Sequence, residues 1–202
     1  MEQMNRSASF RAFSLVELLL VVAIIGILLV LTVPSLTNVS RSMSLSRSGQ
    51  SLADAIVLAQ QQAATLNRRA SVRLIKLPDE AGNVAYRGVQ PWIVKDDAGT
   101  LAPLSRVISF SSGIVITAEP SLSPILQSPP STNGTMPVSG KTRDYVSFTV
   151  LANGGLENVT STNSFLTLVH ENDSAKSASA RPANFFTVNI NPVTGEVSTF
   201  QP

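Results

Sequence analysis

The chain has 202 residues, a formal net charge of +2 and only 14% charged residues, enough for one sizeable domain plus one further element. A hydrophobic content of 44% is too high for a disordered chain, and so weak a charge excess, despite a pI near 9.3, does not fit the basic balance of a nucleic-acid binder. There is no cysteine and a single histidine, His170, which excludes disulfides, cysteine zinc or iron–sulfur sites, a cysteine nucleophile and any metal site needing two imidazoles from one chain.

The first predicted element is an apolar helix. From Leu18 to Leu31 every residue is apolar or glycine, and Phe13, Leu15, Val16 and Val33 extend the run. As a helix, Phe13 to Val33 would measure about 31 Å, matching a hydrocarbon core about 30 Å thick. A buried core helix would show a polar face, and this run shows none. It is also longer than the apolar core of a cleavable secretory signal. A retained membrane helix is therefore expected. Arg6 and Arg11 precede it against Glu2 alone, which leaves the N-terminus in the cytoplasm; Arg41 and Arg47 beyond it pull the other way.

Glu17 stands inside this run. A carboxylate at that depth is costly and calls for a partner or a function. One reading keeps it at headgroup level, favoured by the positive start of the helix. The other makes it a charge that pairs with the α-amino group of a neighbouring subunit, once cleavage exposes one.

Ala12-Phe13-Ser14-Leu15-Val16-Glu17-Leu18-Leu19 resembles the N-terminal cleavage and methylation motif of type IV prepilins and pseudopilins. The resemblance implies that a prepilin peptidase cuts between Ala12 and Phe13 and that Phe13 becomes the methylated N-terminus. It implies assembly roles for Glu17, Gly26 and Pro34, with the helix loosening between the last two. One residue departs from the pattern: the position before the cut is usually glycine and here is Ala12, so the efficiency of cleavage is a matter for experiment.

Pro34 is expected to kink the helix or to start a new one. Beyond it, Leu36, Val39 and Met43, then Leu52, Ile56, Ala59, Ala63 and Leu66, recur at helical spacing. Serines 40, 42, 44, 46 and 48 and then Gly49 weaken helix propensity between them. A long helix, broken or not, is expected from about Phe13 to about Asn67, with Arg68 and Arg69 in its last turn. The stripe from Leu52 to Leu66 is expected to pack on the chain's own sheet rather than on neighbouring subunits.

From Ala70 the period switches to two. Strands are predicted at Ser71–Leu77, Val84–Lys95, Ser105–Phe110, Ile114–Thr117, Tyr145–Leu151, Phe165–Val169, Phe185–Ile190 and Glu196–Phe200, the last two as a terminal hairpin turning at Thr194-Gly195. The proline-rich stretch near 118–143 and the polar stretch near 171–183 read as loops. The predicted fold is α+β and pilin-like: a long N-terminal helix whose first half spans the membrane, then a domain rich in antiparallel sheet. The corresponding segments are a leader 1–12, a transmembrane and assembly helix 13–33, a periplasmic half-helix 34–69 and a globular domain 70–202.

This layout is similar to H-type minor pseudopilins of type II secretion, through Leu52-Ala53, Ala59 to Ala63, Asn67-Arg68 and Val72-Arg73-Leu74. It resembles more closely the prepilin-like cassette protein D of the Verrucomicrobia/Chthoniobacter type, through Ser48 to Asp54, Gln60 to Ala63, Lys76 to Asp79, Tyr86-Arg87, Phe186 to Val188 and Pro192 to Gly195. The cassette resemblance implies co-acting prepilin-like partners and no particular activity.

Catalytic candidates are weak. His170-Glu171-Asn172-Asp173 could seat a cation or a base, but one histidine beside scattered carboxylates is poor equipment. Asp96-Asp97 with Gly99 reads as an exposed turn rather than a calcium loop, since no spaced oxygen set surrounds it. No Gly-x-Ser-x-Gly elbow or phosphate loop occurs. Arg41, Arg47, Arg68, Arg69, Arg73 and Lys76 form a basic strip in sequence, read as facing headgroups or neighbours; without an aromatic platform, nucleic acid is not an expected partner.

The expected protein is thus a non-enzymatic minor pilin or pseudopilin. It uses no cofactor or metal and assembles through its helix into a type II secretion or type IV pilus-like filament after leader cleavage and N-methylation. Its expected place is the inner membrane, with the C-terminal domain outside the cytoplasm. Its expected partners are a prepilin peptidase, other pilin-like subunits and the lipid around 13–33. The competing reading is a single-pass, membrane-anchored extracytoplasmic binding domain that does not assemble.

Overall fold

The computed structural model describes residues 14–127, 131–174 and 182–202, except the side chains of 29–38 and of Ser174. It divides into two compact units, one ending at Arg41 and one spanning Ser42–Pro202.

Helix α1 spans Leu15–Leu66. It runs through Gly26 and Pro34 as one continuous helix, so no new helix starts at Pro34; proline withdraws one backbone donor, but the turns on either side remain helical. The helix closes with Asn67 in the left-handed region at φ 50°. The amide of Arg68 reaches the Ala63 carbonyl at 3.0 Å and that of Asn67 reaches Ala64 at 3.3 Å, the paired closure in which asparagine substitutes for glycine. Arg68 and Arg69 therefore lie beyond the last turn, not in it.

In the second unit, ten strands among the described residues form one sheet: β1 (Ala70–Pro78), β2 (Val84–Val94), β3 (Leu101–Pro103), β4 (Ile108–Ser109), β5 (Ile114–Ile116), β6 (Thr132–Val138), β7 (Lys141–Val150), β8 (Phe165–His170), β9 (Phe185–Ile190) and β10 (Val197–Phe200). The order is β10-β9-β8-β5-β2-β1-β7-β6, with β3 and β4 on β2. Every pairing is antiparallel. The α+β class with an antiparallel sheet agrees with the sequence reading, as does the terminal hairpin, β9 with β10.

Three expectations need correction. The proline-rich stretch is not a loop throughout, because β6 lies within it and pairs with β7 from Thr132↔Ser147 to Val138↔Lys141. Edge position is what makes Pro137 tolerable in that strand. The connecting Ser139 and Gly140 both have positive φ, 48° and 76°, as a two-residue hairpin turn requires. Second, the strand expected over Ser105–Phe110 shrinks to β4, although the Phe110 amide still reaches the Arg87 carbonyl of β2 at 2.8 Å. Third, the polar stretch after β8 opens with a short helix, α2 (Glu171–Ser174); residues 175–181 lie outside the described residues.

The core packs one face of the helical segment after Ser42 on the sheet. Leu45, Leu52, Ile56, Ala59 and Ala63 are fully buried in one cluster with Val72, Leu74, Val89, Val150, Leu166, Leu168, Val188 and Ile190. The stripe thus packs on the chain's own sheet, though Leu66 stays 49% exposed. Small residues let the helix lie close: a Cβ on Gly49 would overlap the ring of Phe186. Gln60 fixes two loops at once, its Nε2 donating to Gly195 O at 2.6 Å and to Gly154 O at 3.3 Å. At the C-terminal end, Gln201 bonds both Ser42 and Ser46.

Candidate functional site

The helix start is built by Ser14 and Glu17. The Ser14 carbonyl accepts the Leu18 amide at 3.2 Å and its Oγ accepts the Val16 amide at 3.3 Å. In return Glu17 Oε2 accepts the Ser14 amide at 3.1 Å. This is a reciprocal capping box, and it gives Glu17 a partner within its own chain. Glu17 lies in the first turn of α1; the sequence reading singled it out without Ser14, although Ser-x-x-Glu is the spacing that signals such a box.

Beyond this cap, every described side chain from Ser14 to Leu28 is exposed. Leu15 is 81% exposed and Ile27 64%. An apolar surface of this kind marks something that covers it. Gly26 has open space around it, since an added Cβ would meet nothing within 4 Å. Glu17, Gly26 and Pro34 are strung along one helix and are not gathered into a cleft. Ala12 and Phe13 lie outside the described residues, and so does the side chain of Pro34. Among the described residues no helix is long and apolar enough to cross a membrane; the expected span 13–33 includes Phe13 and the side chains of 29–33, which lie outside them.

The other candidates resolve into structural contacts. Glu171 pairs with Arg87, which also holds Asp79 at 3.3 Å. Asp79 caps the β1–β2 turn. The Asn83 side chain, then its backbone amide and the Arg87 charge, hold the Asp79 carboxyl below its usual range. Asp96 likewise accepts the Thr100 amide at 2.9 Å, which lowers its pKa, and Asp97 pairs with Arg68 at 2.9 Å. No group of three metal-ligating side chains occurs among the described residues. The basic strip does not form one surface: Arg68 pairs with Asp97, Arg69 with Glu157, Lys76 lies over the Tyr86 ring, and Arg73 is only 8% exposed.

Arg73 has an aromatic setting that the sequence did not reveal. Its Cζ lies 4.0 Å from the Trp92 ring centroid and 4.5 Å from that of Tyr145. Burial lowers its pKa against a smaller opposing effect from Tyr145. Among the cavities, one of about 400 Å³ on β8, β9 and β10 is lined by Phe165, Phe185 and Phe200 with Thr167 and Thr187. A second, of about 600 Å³, lies between Tyr86, Gln127 and Tyr145. The second is also lined by Lys76 and Asp144, with Lys76 held over the Tyr86 ring.

No protein-family model matches the chain, and no curated protein matches it. Among solved structures, the type IV minor pilin FimU of Pseudomonas aeruginosa is similar at 16% identity and a TM-score of 0.44, over 78% of this chain and 92% of that one. The finer resemblances to H-type minor pseudopilins and to the cassette protein rest on the residues quoted for them.

Proposed function

We propose that the chain is a pilin-like structural subunit, a non-enzymatic minor pilin or pseudopilin. It is cut between Ala12 and Phe13, methylated at Phe13, held in the inner membrane by 13–33, and assembled through this helix into a type II secretion or type IV pilus-like filament. The observation that carries the reading is the uncovered apolar helix from Leu15 to Leu28, directly behind a prepilin-type motif. In lipid such a helix gains little from meeting another sideways. Drawn out of the bilayer, its surface must be buried among similar helices. Repeated contact between two different surfaces of one subunit builds an open filament.

A second reading, an anchored extracytoplasmic domain that never assembles, draws on the Ser14–Glu17 cap, which gives the carboxylate a role within one chain. Mass spectrometry of the native mature protein separates the two. A chain beginning at methylated Phe13 is expected; an unmodified chain beginning at Met1 overturns the subunit reading. Glu17→Ala is expected to be inserted and processed yet absent from recovered filaments. Its normal incorporation would reduce Glu17 to a helix cap.

A further inference from the structure

Strands β2, β1 and β7 turn one face away from the helix, and on it Arg73 sits opposite Gln90 and Ser147. Trp92 comes from the strand on one side and Tyr145 from the strand on the other. Ser147 is joined to Thr132 on β6 by a hydroxyl contact of 3.1 Å. The Gln90 carboxamide is occupied, donating to Ser105 O at 2.8 Å and accepting the Trp92 indole N–H at 3.1 Å.

The guanidinium at the centre of this face makes no hydrogen bond or ion pair among the described residues, and its Nε is buried with no acceptor. Arginine is rarely buried without an anion. Aromatic contacts offset part of the desolvation, but they supply neither an acceptor nor a counter-charge. Arg87 on the same sheet is equally buried and its Nε also lacks an acceptor; the contrast lies in its Nη2, which holds two carboxylates, Asp79 and Glu171.

We infer that Arg73, flanked by Trp92 and Tyr145, is the anchor of a docking surface for a second protein chain that presents an aspartate or glutamate side chain. A single unpaired positive charge matches the single negative charge of a carboxylate and under-compensates a phosphate dianion. The guanidinium lies between two rings, and a planar carboxylate can meet its edge as a two-point fork. Arg73 and Trp92 line neither cavity described above, while Tyr145 borders the larger one. Tryptophan, tyrosine and arginine are also the side chains on which protein contacts most often concentrate their energy. This surface belongs to the second unit and does not depend on the fate of the N-terminal helix.

Trp92 is the chain's one tryptophan, so its fluorescence reports on this site in the full-length protein. Titration with an oligoglutamate peptide is expected to give a saturable change that an oligoglutamine of equal length does not give. Arg73→Gln is expected to weaken the response by about tenfold or more, the loss of one charge-assisted contact. Arg69→Gln, which removes the same charge from the surface, is expected to leave it unchanged. Should Arg73→Gln fail to fold, Arg73→Lys carries the test, because it keeps the charge and loses the fork; a weakened response is again expected. The inference is overturned if Trp92 does not respond to the peptide, if the Arg73 and Arg69 variants behave alike, if Arg73→Lys binds as the parent does, or if inorganic phosphate at equal concentration gives the same change.

Discussion

Helix α1 carries apolar residues in two regions, and their surroundings differ. Between Leu45 and Ala63 one face is buried by the chain's own sheet while Arg47, Gln50 and Asp54 stay outside. Between Leu15 and Leu28 the apolar residues surround the helix, and every described side chain there is exposed. Periodicity explains the difference. A stripe specifies one partner surface, whereas an all-round apolar helix asks to be enclosed. The two helix glycines follow the same division, Gly49 pressed against Phe186 and Gly26 in open space.

This contrast can be broken most forcefully in the core. Ile56→Ala should cost about 2–5 kcal/mol, because a fully buried side chain leaves a cavity. Ile24→Ala should leave the unfolding of the second unit unchanged. Urea denaturation of the full-length protein in detergent, followed by Trp92 fluorescence, compares them. The glycines give a finer comparison. Gly49→Ala should destabilise by about 1–3 kcal/mol as Phe186 is displaced. Gly26→Ala should leave the stability of the second unit alone and show any effect in assembly. Ser14→Ala should cost about 1 kcal/mol at the helix start, seen as faster hydrogen exchange in the first turn, with no change elsewhere.

How much of this was legible beforehand depends on what each residue answers to. Strands β1, β2, β8 and β9 were readable from short apolar and period-two runs bounded by turn signals, although β1, β2 and β8 are buried on both faces over part of their length. Strand β6 was not: Thr132-Asn133-Gly134-Thr135 carries no apolar side chain and Pro137 follows, which an edge strand tolerates. The setting of Arg73 was invisible for a different reason. Its neighbours Trp92 and Tyr145 come from strands whose register only the folded sheet fixes, so in sequence it looked like one more member of a basic strip. At the helix start the Ser-x-x-Glu spacing was available, but the apolar run drew attention to Glu17 alone.

The smallest expected effect is one of pH. Asp79 and Asp96 have folded pKa values below the ordinary aspartate value of about 3.9, so the folded state favours their charged forms. Their contribution is present above that value and is lost as the pH falls through the lower folded values. Stability should therefore decline on acidification below about pH 4, and Asp79→Asn should flatten part of that decline in acid-titrated melting curves. An unchanged acid slope would assign the loss to other carboxylates.

Gln60 has a consequence for the order of folding. The loops it bonds lie far from it along the chain, and they touch each other at backbone level, where a Cβ on Gly155 would come within 2.7 Å of the Pro192 carbonyl oxygen. Neither carbonyl can be offered until β7 has turned its corner and the β9–β10 hairpin has closed, and such distant pairings come late. A chain with either loop misplaced would leave this carboxamide short of a partner.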